Sequence, residues 1–146
     1  MKVIVIGATG TIGRAIVQAI GNRHEVVPVS FSKSVIKVDI ADRTSIVKMF
    51  ETTGSVDAVI SAAGLAKFGP MVSLTDADFA LGLENKLMGQ VNLVRSGIDY
   101  VKDNGSFTLT SGILSRKPME GSTAISLVNA ALEGFGRAAA LEMPRG

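Results

Sequence analysis

Residues 3 to 13 read Val-Ile-Val-Ile-Gly-Ala-Thr-Gly-Thr-Ile-Gly, an apolar run that passes directly into three spaced glycines. A run such as Val3 to Ile6 suits a central parallel strand buried on both faces better than an amphipathic strand with one wet face. From Thr11 to Ile20 the apolar residues Ile12, Ala15, Ile16, Ala19 and Ile20 recur at helical spacing, and Gly21-Asn22 ends the helix. The order is therefore strand, turn, helix. Gly7 closes the strand, Gly10 lies inside the turn and Gly13 falls on the first helical turn. Glycines there permit the tight turn, let a pyrophosphate approach the backbone and let the helix pack closely on the strand. The helix N-terminus adds unpaired N–H groups and a partial positive charge. Gly7, Thr9, Gly10, Thr11, Ile12 and Gly13 are the expected pyrophosphate cradle. No Gly-Lys-Ser or Gly-Lys-Thr follows, which excludes a P-loop.

Further along, Glu25 to Ser30 and Val35 to Val38 read as strands, and Asp42 as the N-cap of a helix through Phe50. Val56 to Ile60 is a fourth strand. Thr75 and Asp78 form a capping-box pattern ahead of a long helix reaching about Tyr100. Asn104-Gly105 turns into a fifth strand, Phe107 to Thr110, and an Ala-rich helix runs from Thr123 to Leu141. Strands separated mostly by helices predict a Rossmann-type α/β domain over residues 1–146: a doubly wound parallel sheet, order 3-2-1-4-5, with helices on both faces.

Charge and composition narrow the function. Lys and Arg total 15 against 13 Asp and Glu, scattered along the chain, so no nucleic-acid footprint and no membrane-binding face is expected. There is no Cys and one His, His24, which excludes thiolate chemistry and leaves no metal site to expect. No apolar run is long enough for a bilayer span, and a cytoplasmic location is expected. An NAD-selective site would carry an acid roughly 20 residues past the glycine turn, where this chain has Ser30-Phe31-Ser32-Lys33. Ser30, Ser32 and the positive Lys33 instead suit a 2′-phosphate, so NADP is favoured over NAD.

With these elements placed, the chain resembles the short-chain dehydrogenase/reductase family over essentially its whole length. The glycine turn is similar to the family's cofactor loop. Asp39-Ile40 resembles the pair that contacts adenine, and Ser61-Ala62-Ala63-Gly64 the Asn-Asn-Ala-Gly segment after the fourth strand. Asn129 to Gly134, Asn-Ala-Ala-Leu-Glu-Gly, resembles the body of the active-site helix. The resemblance implies hydride transfer between a nicotinamide and a small carbonyl or alcohol substrate, and a homodimer or homotetramer formed through the last two helices. It also implies a catalytic Tyr-x-x-x-Lys pair, and here the chain departs. Ile125 and Asn129 stand in those places, the one Tyr is Tyr100, and no Lys follows Lys117.

Isoleucine carries no proton, so carbonyl reduction needs a different donor. Ser111, at the end of the fifth strand, matches the family's catalytic serine, with Ser115 the weaker counterpart. Lys86 falls where the family has an Asn before Gly89, and a partly buried lysine there could hold the proton. Asn129 remains a cofactor contact. The family normally continues into a further strand and a substrate region, so the chain is read as stopping short at Met143-Pro144-Arg145-Gly146. Two expectations compete: an oxidoreductase with a non-standard site built from Ser111 and Lys86, or a catalytically inactive NADP-binding sensor or assembly module.

Overall fold

A computed structural model of the chain describes residues 1–143, so the expected chain end at Pro144-Arg145-Gly146 lies outside the described residues. Its centre is a parallel sheet of five strands in the order β3-β2-β1-β4-β5, built from β1 (Lys2–Ile6), β2 (Glu25–Ser30), β3 (Ile36–Lys37), β4 (Val56–Ser61) and β5 (Val101–Leu109). The helices are α1 (Thr11–Ile20), α2 (Arg43–Thr53), α3 (Asp76–Leu81), α4 (Met88–Gly97) and α5 (Thr123–Glu142). The predicted order and class are those observed.

The central strand shows why its sequence is apolar without alternation. Val3 and Val5 pack with Ala58 under Ile16, Val17 and Ile20 of α1. Ile4 and Ile6 face the other way, joining Val59, Ile46, Met49, Phe50 and Leu93 from β4, α2 and α4. Both faces are thus core. Phe50 is fully buried and stacks on Tyr100 with ring centroids 5.3 Å apart. Burying such a ring contributes about 1.5–3 kcal/mol. On α1, by contrast, the stripe is rotated from the predicted one. Gly13 is the buried residue, Ile16, Val17 and Ile20 pack, and Ile12 is left 56% exposed.

Local signals in the sequence work as expected at two helix starts. The Asp42 side chain accepts from Thr44 N at 2.8 Å. At α3, Asp78 N donates to Thr75 Oγ1 and Thr75 N to Asp78 Oδ2, completing the capping box. Three elements differ from expectation. β3 keeps only Ile36 and Lys37: Val35 is solvent-exposed, and Val38, buried and donating to Ser30 O at 3.0 Å, lies just past the strand. The single long helix is divided, with a π-helical turn at Gly82–Leu87 between α3 and α4. β5 begins earlier, at Val101, which pairs with Val56 of β4, and Lys102 reaches Asp57 at 3.2 Å. The Asn104-Gly105 turn survives inside it as a bulge, with Asn104 at φ 59° and a register shift opposite Val56 and Ala58.

The last helix packs on the π turn, where a Cβ at Gly82 would meet Val128 Cγ1 at 3.2 Å. Its buried face carries Ala124, Val128, Asn129 and Leu132, whereas Ala130, Ala131 and Ala138 face outward.

Candidate functional site

The glycine turn is fixed by backbone collisions. Gly7 has φ +81°, and a Cβ there would lie 2.5 Å from Ala62 O. At Gly13 it would lie 2.1 Å from Gly7 O. Both positions exclude any side chain because the obstacles are main chain. Gly10 is less confined: its Cβ would meet Gly7 O at 3.3 Å, a tight contact, and no other of its surroundings within 4 Å. Gly10 caps α1 without a side-chain hydrogen bond, and no acid sits in the first turn. The first-turn N–H groups beside Thr11 and Ile12 therefore face outward without a carboxylate, which is what a pyrophosphate requires. Thr9 lies half-buried under this turn.

At the end of β2, Ser30 is buried and its Oγ accepts from Lys33 N at 2.9 Å and Ser34 N at 2.8 Å. Ser30 thus shapes the turn that carries Ser32 and Lys33, both exposed, and keeps its hydroxyl proton free to donate. Asp39 Oδ1 accepts from Ala41 N at 2.9 Å. The Ile40 side chain turns into the core, where a Cβ on Gly89 would meet its Cδ1 at 3.0 Å, leaving Ile40 only its backbone for a ligand.

After β4, Ala62 N donates to Ile6 O at 2.8 Å, and Ala63 packs on the core. The Ser61 hydroxyl is buried without a hydrogen-bond partner, while Ser61 O accepts from Thr110 Oγ1 at 2.5 Å. Gly64 makes room for Lys86, whose Cγ would be 2.7 Å from a Cβ there.

Lys86 lies in the π turn, and its neighbour Asn85 accepts from Leu65 N at 2.7 Å, tying the turn to the loop after β4. The Lys86 ammonium reaches Ser111 O at 3.5 Å across the end of β5. No ion pair holds it among the described residues. Its partial burial pushes its pKa below the usual lysine range. The structure therefore brings Lys86 and Ser111 together, but through the backbone of Ser111. The Ser111 hydroxyl faces α5, within 3.2 Å of Asn129 O and 2.9 Å of Glu133 Oε1. Ser115 also donates to Glu133 Oε1, and Arg116 Nε lies 3.4 Å from Glu133 Oε2. Hydrogen bonds from Ser115 and then Ser111, with Arg116 beside them, hold the Glu133 carboxyl below the usual carboxylate range. Ser111 and Glu133 also line a groove of about 540 Å³ between β5 and α5.

Asn129 is 1% exposed, its Oδ1 has no partner, and its Nδ2 lies 2.8 Å from where a Gly112 Cβ would be. Ile125 sits one turn earlier, half-buried. Sequence reasoning missed Glu133 and Gln90. Glu133 follows Ile125 and Asn129 at successive four-residue steps, a visible signal that it shares their helix face. Gln90 is fully buried and brackets Thr110, giving Nε2 to its O at 3.2 Å and taking its N at 3.0 Å.

Among the described residues no three His, Cys, Asp or Glu side chains converge as for a metal ion, and no helix is long and apolar enough to cross a membrane.

The family described as "Enoyl-(Acyl carrier protein) reductase" matches residues 7–146. The crystal structure of the protein lin1944 from Listeria innocua is similar over 100% of this chain and 73% of its own, with 42% identity and a TM-score of 0.97. A small-chain dehydrogenase in complex with NADPH is 31% identical, with a TM-score of 0.91 over 99% of this chain and 65% of its own. Erythronolide synthase EryA3 of Saccharopolyspora erythraea is 29% identical over 125 residues, 82% of this chain and 4% of that protein. The chain thus spans a small part of that curated relative. Taken with the parallel sheet and the glycine turn, these matches establish that the chain belongs to the short-chain dehydrogenase/reductase family.

Proposed function

We propose that the protein is an NADP-dependent oxidoreductase acting on a small carbonyl or alcohol, with Lys86 as the proton-carrying group and Ser111 beside it in place of the family's Tyr-Lys pair. The observation that carries this reading is the Lys86 ammonium, half-buried, without a carboxylate partner among the described residues and 3.5 Å from Ser111 O at the end of β5. Desolvation that lowers an ammonium pKa brings it toward the range in which it can give up a proton near neutrality.

The residues present fit a dinucleotide. The side-chain-free turn at Gly7, Gly10 and Gly13 and the acid-free helix start suit its pyrophosphate. Ser32, Lys33 and the Ser30 hydroxyl suit a 2′-phosphate, with Asp39 and the Ile40 backbone on the adenine side. Ser61, Ala62, Ala63 and Gly64 border the path toward Lys86. The buried, unpartnered Asn129 Oδ1 and Ser61 Oγ have the capacity to pair with ribose or carboxamide groups. The NADPH held by the similar small-chain dehydrogenase supports the choice of cofactor. A bound nicotinamide would supply the hydride acceptor or donor. Lys86 would hold the proton that balances it at the substrate oxygen, and Ser111 would pair with the hydroxyl that oxygen carries in the alcohol form. The outward Ala130, Ala131 and Ala138 of α5 suit close approach of a second copy.

Fluorescence titration with NADPH and NADH, followed by a carbonyl and alcohol panel, tests the reading. Tighter binding of NADPH and turnover lost in Lys86→Met are expected. Tight binding with no turnover on any member of the panel would instead favour a catalytically inactive NADP-binding sensor or assembly module.

A further inference from the structure

We infer that Glu133 is a positioning residue that draws the Ser111 proton inward, so that Ser111 meets the site as a hydrogen-bond acceptor and pairs with the alcohol form of the substrate. This deepens the oxidoreductase reading and rests on it for the substrate's identity. The hydrogen-bond geometry itself does not.

A serine hydroxyl has a single proton and two lone pairs. Both protein groups within reach of Ser111 Oγ, Glu133 Oε1 at 2.9 Å and Asn129 O at 3.2 Å, are acceptors. The proton is therefore committed inward, and the carboxylate is the stronger claimant because charge-assisted bonds are roughly twice as strong as neutral ones. Ser115 and Arg116 hold Glu133 in its ionised form from the other side, which removes the one arrangement in which Glu133 could itself donate to Ser111. Only lone pairs of Ser111 remain for the site. They accept from an alcohol O–H and offer nothing to a carbonyl oxygen. The Lys86 ammonium, 3.5 Å from Ser111 O, is a donor at this strand end that can meet a carbonyl. The two substrate forms are thus read by different residues: the carbonyl by Lys86, the alcohol by Ser111.

The absence of cysteine gives a direct test. Ser111→Cys introduces the protein's sole thiol at the position in question, and its alkylation rate against pH reports the thiol pKa. The charged groups near it are Glu133, Arg116 and Lys86. Facing an ionised carboxylate, the thiol in Ser111→Cys should titrate above that in the Ser111→Cys/Glu133→Gln double variant, by about one pH unit. Alkylation at neutral pH should accordingly be about tenfold faster in the double variant. Ser111→Cys/Glu133→Ala repeats the comparison should the amide variant not fold. Equal midpoints overturn the inference. In the intact enzyme, Glu133→Gln, which can donate to Ser111 and free its proton, should raise KM for an alcohol relative to the matching carbonyl several-fold, with kcat changing less. KM values that move together also overturn it. Wild-type protein that turns over neither form defeats the oxidoreductase reading, while the thiol midpoints still decide the role of Glu133.

Discussion

The two ends of the proposed site obey different rules. At the turn after β1 the sequence answers to backbone collisions, and Gly7 and Gly13 leave no space for a single carbon. At the end of β5 the polar groups answer to one another: Ser111, Ser115 and Arg116 gather on Glu133, and Gln90 brackets Thr110. A collision has one solution, whereas hydrogen bonds can be satisfied by many partner sets. The first end therefore reads directly from residue identity, and the second reads only once its partners are in place.

The sharpest way to separate the two ends is to remove chemistry without touching the fold. Lys86→Met should lower kcat/KM by about 100-fold or more, the usual contribution of a general acid, while the thermal midpoint stays close to wild type. Parallel activity and melting measurements check this, and a collapse of both together would make Lys86 a packing residue.

The converse experiment breaks the fold at the glycine end. Gly13→Ala should cost about 3 kcal/mol, the upper range for overpacking, because the intruding methyl meets main chain that has no rotamer to change. Gly10→Ala meets only Gly7 O, at 3.3 Å, and should cost much less stability than Gly13→Ala while weakening NADPH binding. Urea unfolding and cofactor titration on the two variants tell the roles apart.

Next in size is the buried amide between the two behaviours. Gln90→Leu leaves Thr110 N and Thr110 O without their side-chain partner, and about 2 kcal/mol of stability should be lost. Urea denaturation measures it, and a loss near zero would mean that Thr110 finds other partners.

The smallest effect is electrostatic. Asp57 accepts from Lys2 N at 2.5 Å and pairs with Lys102 at 3.2 Å, tying β1, β4 and β5. The Lys2 backbone bond first, then Lys102, lowers its pKa from the ordinary 3.8. A lowered carboxylate pKa contributes stability above the unfolded-state value, and the contribution is lost as pH falls through the folded one. Asp57→Asn should therefore melt slightly below wild type at neutral pH, and the two should converge below pH 3.8.

The Asp42 cap and the Thr75-Asp78 capping box were legible because each depends on residues close in sequence, and the sheet order because alternating strands and helices leave few topologies. The start of β5 was not: Lys102, Asp103 and Asn104 look like a loop until Asp57 is placed opposite. Nor could apolar spacing reveal the π turn, since a single extra residue in a helix barely alters a short pattern. Glu133 reads as an ordinary solvated helix residue until the loop carrying Ser111 and Ser115 folds over it.

The π turn at Gly82–Leu87 has one more consequence. It works as a phase shifter between two helices with separate obligations. An α-helix advances about 100° per residue, so one inserted residue rotates all that follows by that angle. Below the turn, α4 can present Gly89, Gln90, Leu93 and Gly97 to the core. Above it, α3 stays fixed by its own cap, and Lys86 occupies the seam. Deleting one residue from the seam would heal the helix and still set its two halves at odds. The lysine's aim is a property of helical phase as much as of its own side chain.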